Sequence, residues 1–218
     1  MAIYAVQGLC AAGCLFTTYA LCRKGLNLSF FSNPQEDLPA GIKDIVDSQV
    51  KRMGLEKEVM IIPDPNTYRC SAYGNTWFGK VSMKVGSKVK GDTVGFNEFK
   101  TAHQIAHLKA NDFLIVPGAT LAASLFTTFV LTVNCDLFTR YLGGLAVALI
   151  TGAVVRRRAE RRADHEAMKQ CSKEVNQANL NRLLKREKEG YSPSLLKRIF
   201  EPSLDERIGC LRDYIKQT

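Results

Sequence analysis

Thr101-Ala102-His103-Gln104-Ile105-Ala106-His107 is the stretch that decides how the chain is read. Two histidines four positions apart on a helix lie one turn above each other on the same face. That spacing lets both imidazoles reach one tetrahedral metal ion, as in the H-E-x-x-H arrangement of zinc proteases. The residue that follows the first histidine is a glutamine here, so the pattern of a metal site comes without the usual carboxylate.

A third ligand is needed, and Arg158-Ala159-Glu160-Arg161-Arg162-Ala163-Asp164 offers one. Glu160 and Asp164 are again four apart on a charged, helix-prone segment. Glu160 is the candidate ligand. Asp164 can accept the free N–H of a ligating histidine and fix its tautomer. Two histidines and a glutamate leave a fourth position open, which is the form of a catalytic zinc site. His165, the remaining histidine, reads as an exposed helix residue.

The chain around these segments has 218 residues, enough for one compact domain. Its 30 basic and 21 acidic residues leave a net charge of +9. The positives gather beside apolar runs, at Arg23 and Lys24 and again at residues 156–162, as on the inner side of a membrane protein. No interleaving of basic and aromatic residues suggests nucleic acid as a partner. The seven cysteines contain no C-x-x-C pair, which argues against a disulfide framework or a cysteine metal site and for reduced thiols.

Three apolar runs are expected to cross a bilayer. Residues 2–22 carry no charge and precede Arg23 and Lys24, so they read as an anchor with its N-terminus outside. Residues 113–135 and 137–155 read as a hairpin closed on the inside by Arg156-Arg157-Arg158, with Arg140 near the outer turn. A hydrophobic hairpin buried in a soluble protein is the alternative.

Between anchor and histidines, residues 27–39 form a polar linker. Ile42, Ile45, Val46, Val50 and Met53 mark a helix stopped at Gly54. Residues 58–62 read as a strand ended by Pro63. Val81, Met83 and Val85 alternate with Lys80, Ser82 and Lys84, the pattern of a charged sheet edge. Asn97 is placed to cap the histidine helix. After Gly190, Ser203-Leu204-Asp205-Glu206 has the capping-box pattern ahead of Ile208, Leu211 and Ile215.

Taken together, His103 to His107, the apolar hairpin after it, Glu160-x-x-x-Asp164, and the closing Pro202-Ser203 to Arg207-Ile208 resemble the HtpX-like, CaaX-prenyl-endopeptidase-type membrane zinc metallopeptidases, a gluzincin family. Ser71-Ala72-Tyr73-Gly74 stands where that family has an asparagine-alanine segment before its edge strand. The resemblance implies an α+β fold, with a small sheet beside the zinc helix and about three membrane helices. It divides the chain into an anchor (1–26), an N-terminal part with the histidine helix (27–112), a membrane hairpin (113–155) and a helical C-terminal part with the third ligand (156–218).

It further implies one Zn2+ held by His103, His107 and Glu160, with Asp164 behind them and the active site facing the cytoplasm of a bacterial inner membrane or an organelle's equivalent side. A polypeptide would pair along Val81, Met83 and Val85, with Arg207 a further candidate contact. Two residues depart from the family. Gln104 stands in place of the general-base glutamate, and Glu201 in place of a histidine before the closing proline. A carboxamide has no basic form near neutral pH, so peptide hydrolysis should fall by at least the roughly 10²–10⁴-fold that such a base supplies. Two functions stay open: a metalloendopeptidase trapped by an inactivating substitution, and a natural zinc-binding pseudoprotease that binds clients at the membrane.

Overall fold

A computed structural model describes residues 41–64, 70–74, 76–77, 81–86, 94–131 and 136–218. The expected anchor at residues 2–22 and the linker lie outside them. The elements run α1 (Ile42–Arg52), β1 (Val59–Asp64), β2 (Cys70–Tyr73), β3 (Val81–Gly86), α2 (Val94–Lys109), α3 (Asp112–Leu131), α4 (Leu137–Gln170), α5 (Lys173–Lys188), α6 (Leu195–Phe200) and α7 (Leu204–Gln217). The fold is α+β: a three-stranded sheet with helices around it.

The sheet order is β1-β3-β2, with β1 parallel and β2 antiparallel to β3. This corrects the reading of β3 as an edge. Its alternation of valine and lysine suggested one solvated face, yet β3 is central and hydrogen-bonded on both sides. Val81, Met83 and Val85 all belong to the core, and Ser82 on the opposite face is 1% exposed. No free backbone remains there to take a peptide. Among the described residues, the strands with one unpaired side are β1 and β2. Pro63 does not end β1; it sits within it, opposite Val85, and an edge strand tolerates the missing N–H.

Helix α2 packs across the sheet through Phe99, Ala102, Ile105, Ala106 and Leu108, all buried. It begins at Val94, so Asn97 lies inside it rather than capping it. Helix α1 ends at Met53, and Gly54 takes a positive φ of 62° to reverse the chain, as its position after the apolar stripe suggests. Lys109 Nζ donates to the Met53 carbonyl at 2.7 Å, joining the ends of α1 and α2.

Between α2 and α3 the chain turns at Asn111, which adopts φ 55° in the left-handed region. Asparagine tolerates that conformation better than other side-chain-bearing residues. Its side chain also fixes the corner: Oδ1 accepts from Thr76 N at 2.6 Å, and Nδ2 donates to Thr76 Oγ1 at 2.8 Å. The loop after β2 is thereby tied to the start of α3.

Among the described residues, one helix is long and apolar enough to cross a membrane, Asp112–Val130, and only 6% of that span is buried. Three crossings were expected. The second half of the hairpin is not a separate span, because α4 runs unbroken for 34 residues from its apolar start into the charged segment that carries Glu160. Leu125, Phe126 and Phe129 on α3 and Leu142, Leu149 and Ile150 on α4 are exposed. A hairpin buried in a soluble core would have covered them.

The two helices approach closely. A Cβ on Gly144 would stand 2.6 Å from Thr128 Oγ1, and one on Gly152 would stand 3.2 Å from Thr120 Oγ1. Those hydroxyls are satisfied within their own helix, donating to the carbonyls of Ser124 and Val116.

Candidate metal centre

His103 and His107 stand on the buried face of α2, and Glu160 and Asp164 on the facing side of α4. All four side chains are buried. His103 Nε2 and His107 Nε2 are 3.1 Å apart, and Glu160 Oε2 lies 3.3 Å from the first and 3.6 Å from the second. The other ring nitrogens are already taken. His103 Nδ1 lies 2.8 Å from Asp164 Oδ1, and His107 Nδ1 lies 2.7 Å from Asp112 Oδ2. With the proton of each ring on Nδ1, hydrogen-bonded to Asp112 in His107 and close to Asp164 in His103, both Nε2 atoms present lone pairs toward a carboxylate oxygen. Three such atoms repel one another unless a cation or proton lies among them.

Tetrahedral zinc at its usual distances of about 2.0–2.1 Å separates its ligand atoms by about 3.3 Å. The spacing of His103, His107 and Glu160, three residues that could hold a metal ion, fits that value. The donor set is that of a catalytic zinc, with one position left for a further ligand.

Each aspartate is held in turn by an arginine. Arg207 Nη2 donates to Asp164 Oδ1 at 2.6 Å, and Arg162 donates to Asp112. Arg156 Nη2 reaches the outer oxygen of Glu160, Oε1, at 3.3 Å. Burial opposes charge on His103, but Asp164 and Glu160 outweigh it and raise the metal-free imidazole's pKa to about 9. Burial likewise opposes ionisation of Glu160 and Asp164. Hydrogen bonds from the two histidines nevertheless hold Glu160 well below the usual carboxylate range, and Arg207 and His103 lower Asp164.

Gln104, the next residue after the first histidine, faces the sheet. Its Oε1 accepts from the Ala72 backbone N–H of β2 at 3.0 Å. That contact decides the amide's orientation, since a flipped amide would set two donors against each other and leave a part-buried N–H unsatisfied at a cost of about 1–3 kcal/mol. Ser71 and Ala72, expected just before an edge strand, belong to β2 itself, and Ala72 lies beside the histidine helix.

The sequence reading brought His103, Gln104, His107, Glu160 and Asp164 to one place; the structure sets His103, His107, Glu160 and Asp164 together, while the Gln104 side chain is held against Ala72 of β2. Arg207 is there too, partly exposed, with its guanidinium donating to Asp164. Val81, Met83 and Val85 are not at the site. Asp112 and Arg162 were missed. An acidic residue at the head of an apolar span, five positions after His107, was the available signal; it was absorbed as the end of the preceding segment.

No family model matches the chain, and no curated protein matches it either. Among solved structures, the crystal structure of Ste24p from S. mikatae is similar over 82% of this chain, with a TM-score of 0.56 and 16% sequence identity. The chain spans half the length of that structure. At this identity the likeness is one of fold.

Proposed function

We propose that the chain is a membrane-associated zinc centre of metallopeptidase type, which binds polypeptide and, with Gln104 in place, turns it over slowly or not at all. The convergence of His103 Nε2, His107 Nε2 and Glu160 Oε2 on one point, with both outer ring nitrogens tied to aspartates, carries the reading. Two further observations support it: the fold likeness to Ste24p, a CaaX prenyl endopeptidase, and the exposed apolar face of the α3–α4 hairpin.

Bound zinc would supply a Lewis acid that polarises a peptide carbonyl and acidifies a bound water. This chain's own residues set the stage for it. Asp164 and Asp112 hold the two imidazoles in the tautomer that turns Nε2 inward. Arg156 engages the outer oxygen of Glu160 and leaves Oε2 as the donor. An extended peptide would align along the outer side of β2, the sheet edge beside α2, in the manner of strand addition. Asp112, the first residue of the candidate span Asp112–Val130, lies against His107. The centre would therefore sit at the membrane surface, on the side of the Arg156-Arg157-Arg158 cluster, which favours juxtamembrane or misfolded membrane segments as clients.

Restoring the carboxylate tests the peptidase reading. Zinc-loaded Gln104→Glu protein should cleave an unfolded membrane substrate about 10²–10⁴-fold faster than the parent chain. Stoichiometric zinc with no gain in cleavage would leave a binding protein. That second reading, a pseudoprotease or membrane adaptor, is favoured by one contact: the Ala72 N–H already holds Gln104 in a fixed, non-basic orientation.

A further inference from the structure

Helix α6 takes no part in the metal centre, yet its make-up is that of a surface helix. Leu195 and Ile199 stand one turn apart on one face and are 72% and 41% exposed. Lys197 and Arg198 fall on the other arc, and both are exposed. Phe200 turns inward instead. A Cβ on Gly152 of α4 would stand 3.7 Å from Phe200 Cε1, at the point where Thr120 of α3 also closes in. Thr120 lies within the candidate span Asp112–Val130. Helix α6 is therefore seated against the hairpin alongside its membrane-length part, with two aliphatic side chains left exposed.

The charges nearby say what covers that face. Residues 137–159 and 190–200 contain no acid. One turn beyond Gly152, Arg156, Arg157 and Arg158 join Lys197 and Arg198 at the same end of the hairpin. Arg156 stands against Glu160, and Arg198 donates to the Ser192 hydroxyl at 2.7 Å. Among the described residues Arg157, Arg158 and Lys197 meet no carboxylate, and Arg157 Nε is buried without a hydrogen-bond partner. The neighbouring acids act elsewhere. The charge of Glu201, which ends α6, bears on Arg207, and Glu189 pairs with Lys185. Glu187 is exposed between Arg186 and Lys188. A face of leucine and isoleucine rimmed by unpaired bases matches acyl chains beside phosphates, and it continues the exposed apolar face of the hairpin.

We propose that α6 docks on an anionic lipid surface: Leu195 and Ile199 enter the boundary between headgroups and acyl chains, and Arg157, Arg158, Lys197 and Arg198 meet lipid phosphates. This deepens the membrane association proposed above and rests on it. The contact also sets the level of the C-terminal part, because Glu201 and the buried Pro202 join α6 directly to α7 and its Arg207.

The chain has a single tryptophan, Trp77, so the fluorophore can be moved. Full-length Trp77→Phe protein carrying Phe126→Trp, Leu195→Trp or Ile199→Trp is placed in nanodiscs of phosphatidylcholine and phosphatidylglycerol. The acyl chains carry bromine near either the headgroup end or the methyl end. Phe126→Trp reports on the hairpin: if neither bromine quenches it, the membrane reading fails and this proposal with it. With that control quenched, both α6 reporters should be quenched about twofold or more better by the bromine near the headgroups, as suits an apolar face roughly 5–10 Å below their boundary. Omitting phosphatidylglycerol, or combining Lys197→Gln with Arg198→Gln, should lower that quenching about twofold or more. A quenched Phe126→Trp beside two unquenched α6 reporters overturns the proposal and leaves the hairpin reading intact. Acrylamide then tells whether water covers the face or protein does, such as a second copy or residues 2–22. Quenching indifferent to phosphatidylglycerol and to both substitutions overturns it as well.

Discussion

The two histidines of the centre are supported in the same way but from different parts of the molecule. His103 leans on Asp164, in the charged half of α4, and Asp164 on Arg207 from α7 near the C-terminus. His107 leans on Asp112, the first residue of the apolar helix α3, and Asp112 on Arg162. One support is built wholly from polar helices. The other begins where the membrane-length helix begins. The comparison teaches that the candidate centre is gripped between the globular part and the hairpin, so a displacement of α3 is felt directly at His107.

The strongest way to break the comparison is to remove a shared member. Glu160 faces both imidazoles, so Glu160→Ala should abolish tight zinc binding, read by metal analysis after dialysis, while the two aspartate–histidine pairs remain. If zinc stays stoichiometric in that variant, the ligand set is wrong.

Next in size are the two aspartates. Asp164→Asn and Asp112→Asn should each weaken zinc binding by about 10–100-fold, the usual loss when the partner of a ligating histidine is changed. Their difference sharpens the argument. The Asp112→Asn defect should depend on whether the protein is in detergent or in a bilayer, because α3 carries that aspartate, and the Asp164→Asn defect should not. Competition with a chelating dye in both media measures this. Equal sensitivity to the medium would mean that the hairpin does not bear on the site.

The same contrast explains what was legible in advance. His103, His107, Glu160 and Asp164 announce themselves because i, i+4 spacing on a helix is a local property, visible wherever it occurs. Asp112 escaped because its role depends on a corner. Asn111 must enter the left-handed region and be pinned by Thr76 before the next residue can turn back onto His107. Strand order escaped for a similar reason. Alternation in residues 81–86 describes one strand's two faces and carries no information about neighbours, so a central strand with lysine-bearing ends passed for an edge. The cap at Ser203 was different: its Oγ accepts from Glu206 N at 3.2 Å, as the four-residue pattern suggests, because a cap involves only adjacent residues. Membrane crossing was read by run length, and α4 shows the limit of that measure, since its apolar and charged halves are one helix.

The arginines should separate by burial. The Arg207 side chain is 28% exposed against a 12% exposed Asp164, whereas Arg162 is 45% exposed against a 6% exposed Asp112, so the two pairs differ in the arginine and not in the carboxylate. Removing one partner of a buried pair costs roughly 3–5 kcal/mol, and a solvent-screened pair contributes about 1 kcal/mol or less. Arg207→Gln should therefore lower the denaturation midpoint clearly, and Arg162→Gln only slightly. Comparable losses would show that the burial of Asp112 outweighs the exposure of its arginine.

The last contrast concerns protons on the polar side. In the metal-free protein the His103 imidazole has its pKa raised from 6.5 to about 9 by Asp164 and Glu160, against the pull of burial. A raised folded-state value means that the protonated form stabilises the fold. The contribution is complete below about pH 6.5 and is lost as pH rises through about 9. Melting temperature of the metal-free chain should therefore decline across that window, and the decline should flatten in Asp164→Asn, which removes the first of the groups that raise the value. Zinc takes the proton's place, so loading at pH 7 should release a proton, seen as a dependence of the binding enthalpy on the buffer's ionisation enthalpy. If the zinc-loaded protein shows the same decline between pH 6.5 and 9 as the metal-free one, the titrating group is not at the centre, and the lone pair of His103 Nε2 is not what the metal binds.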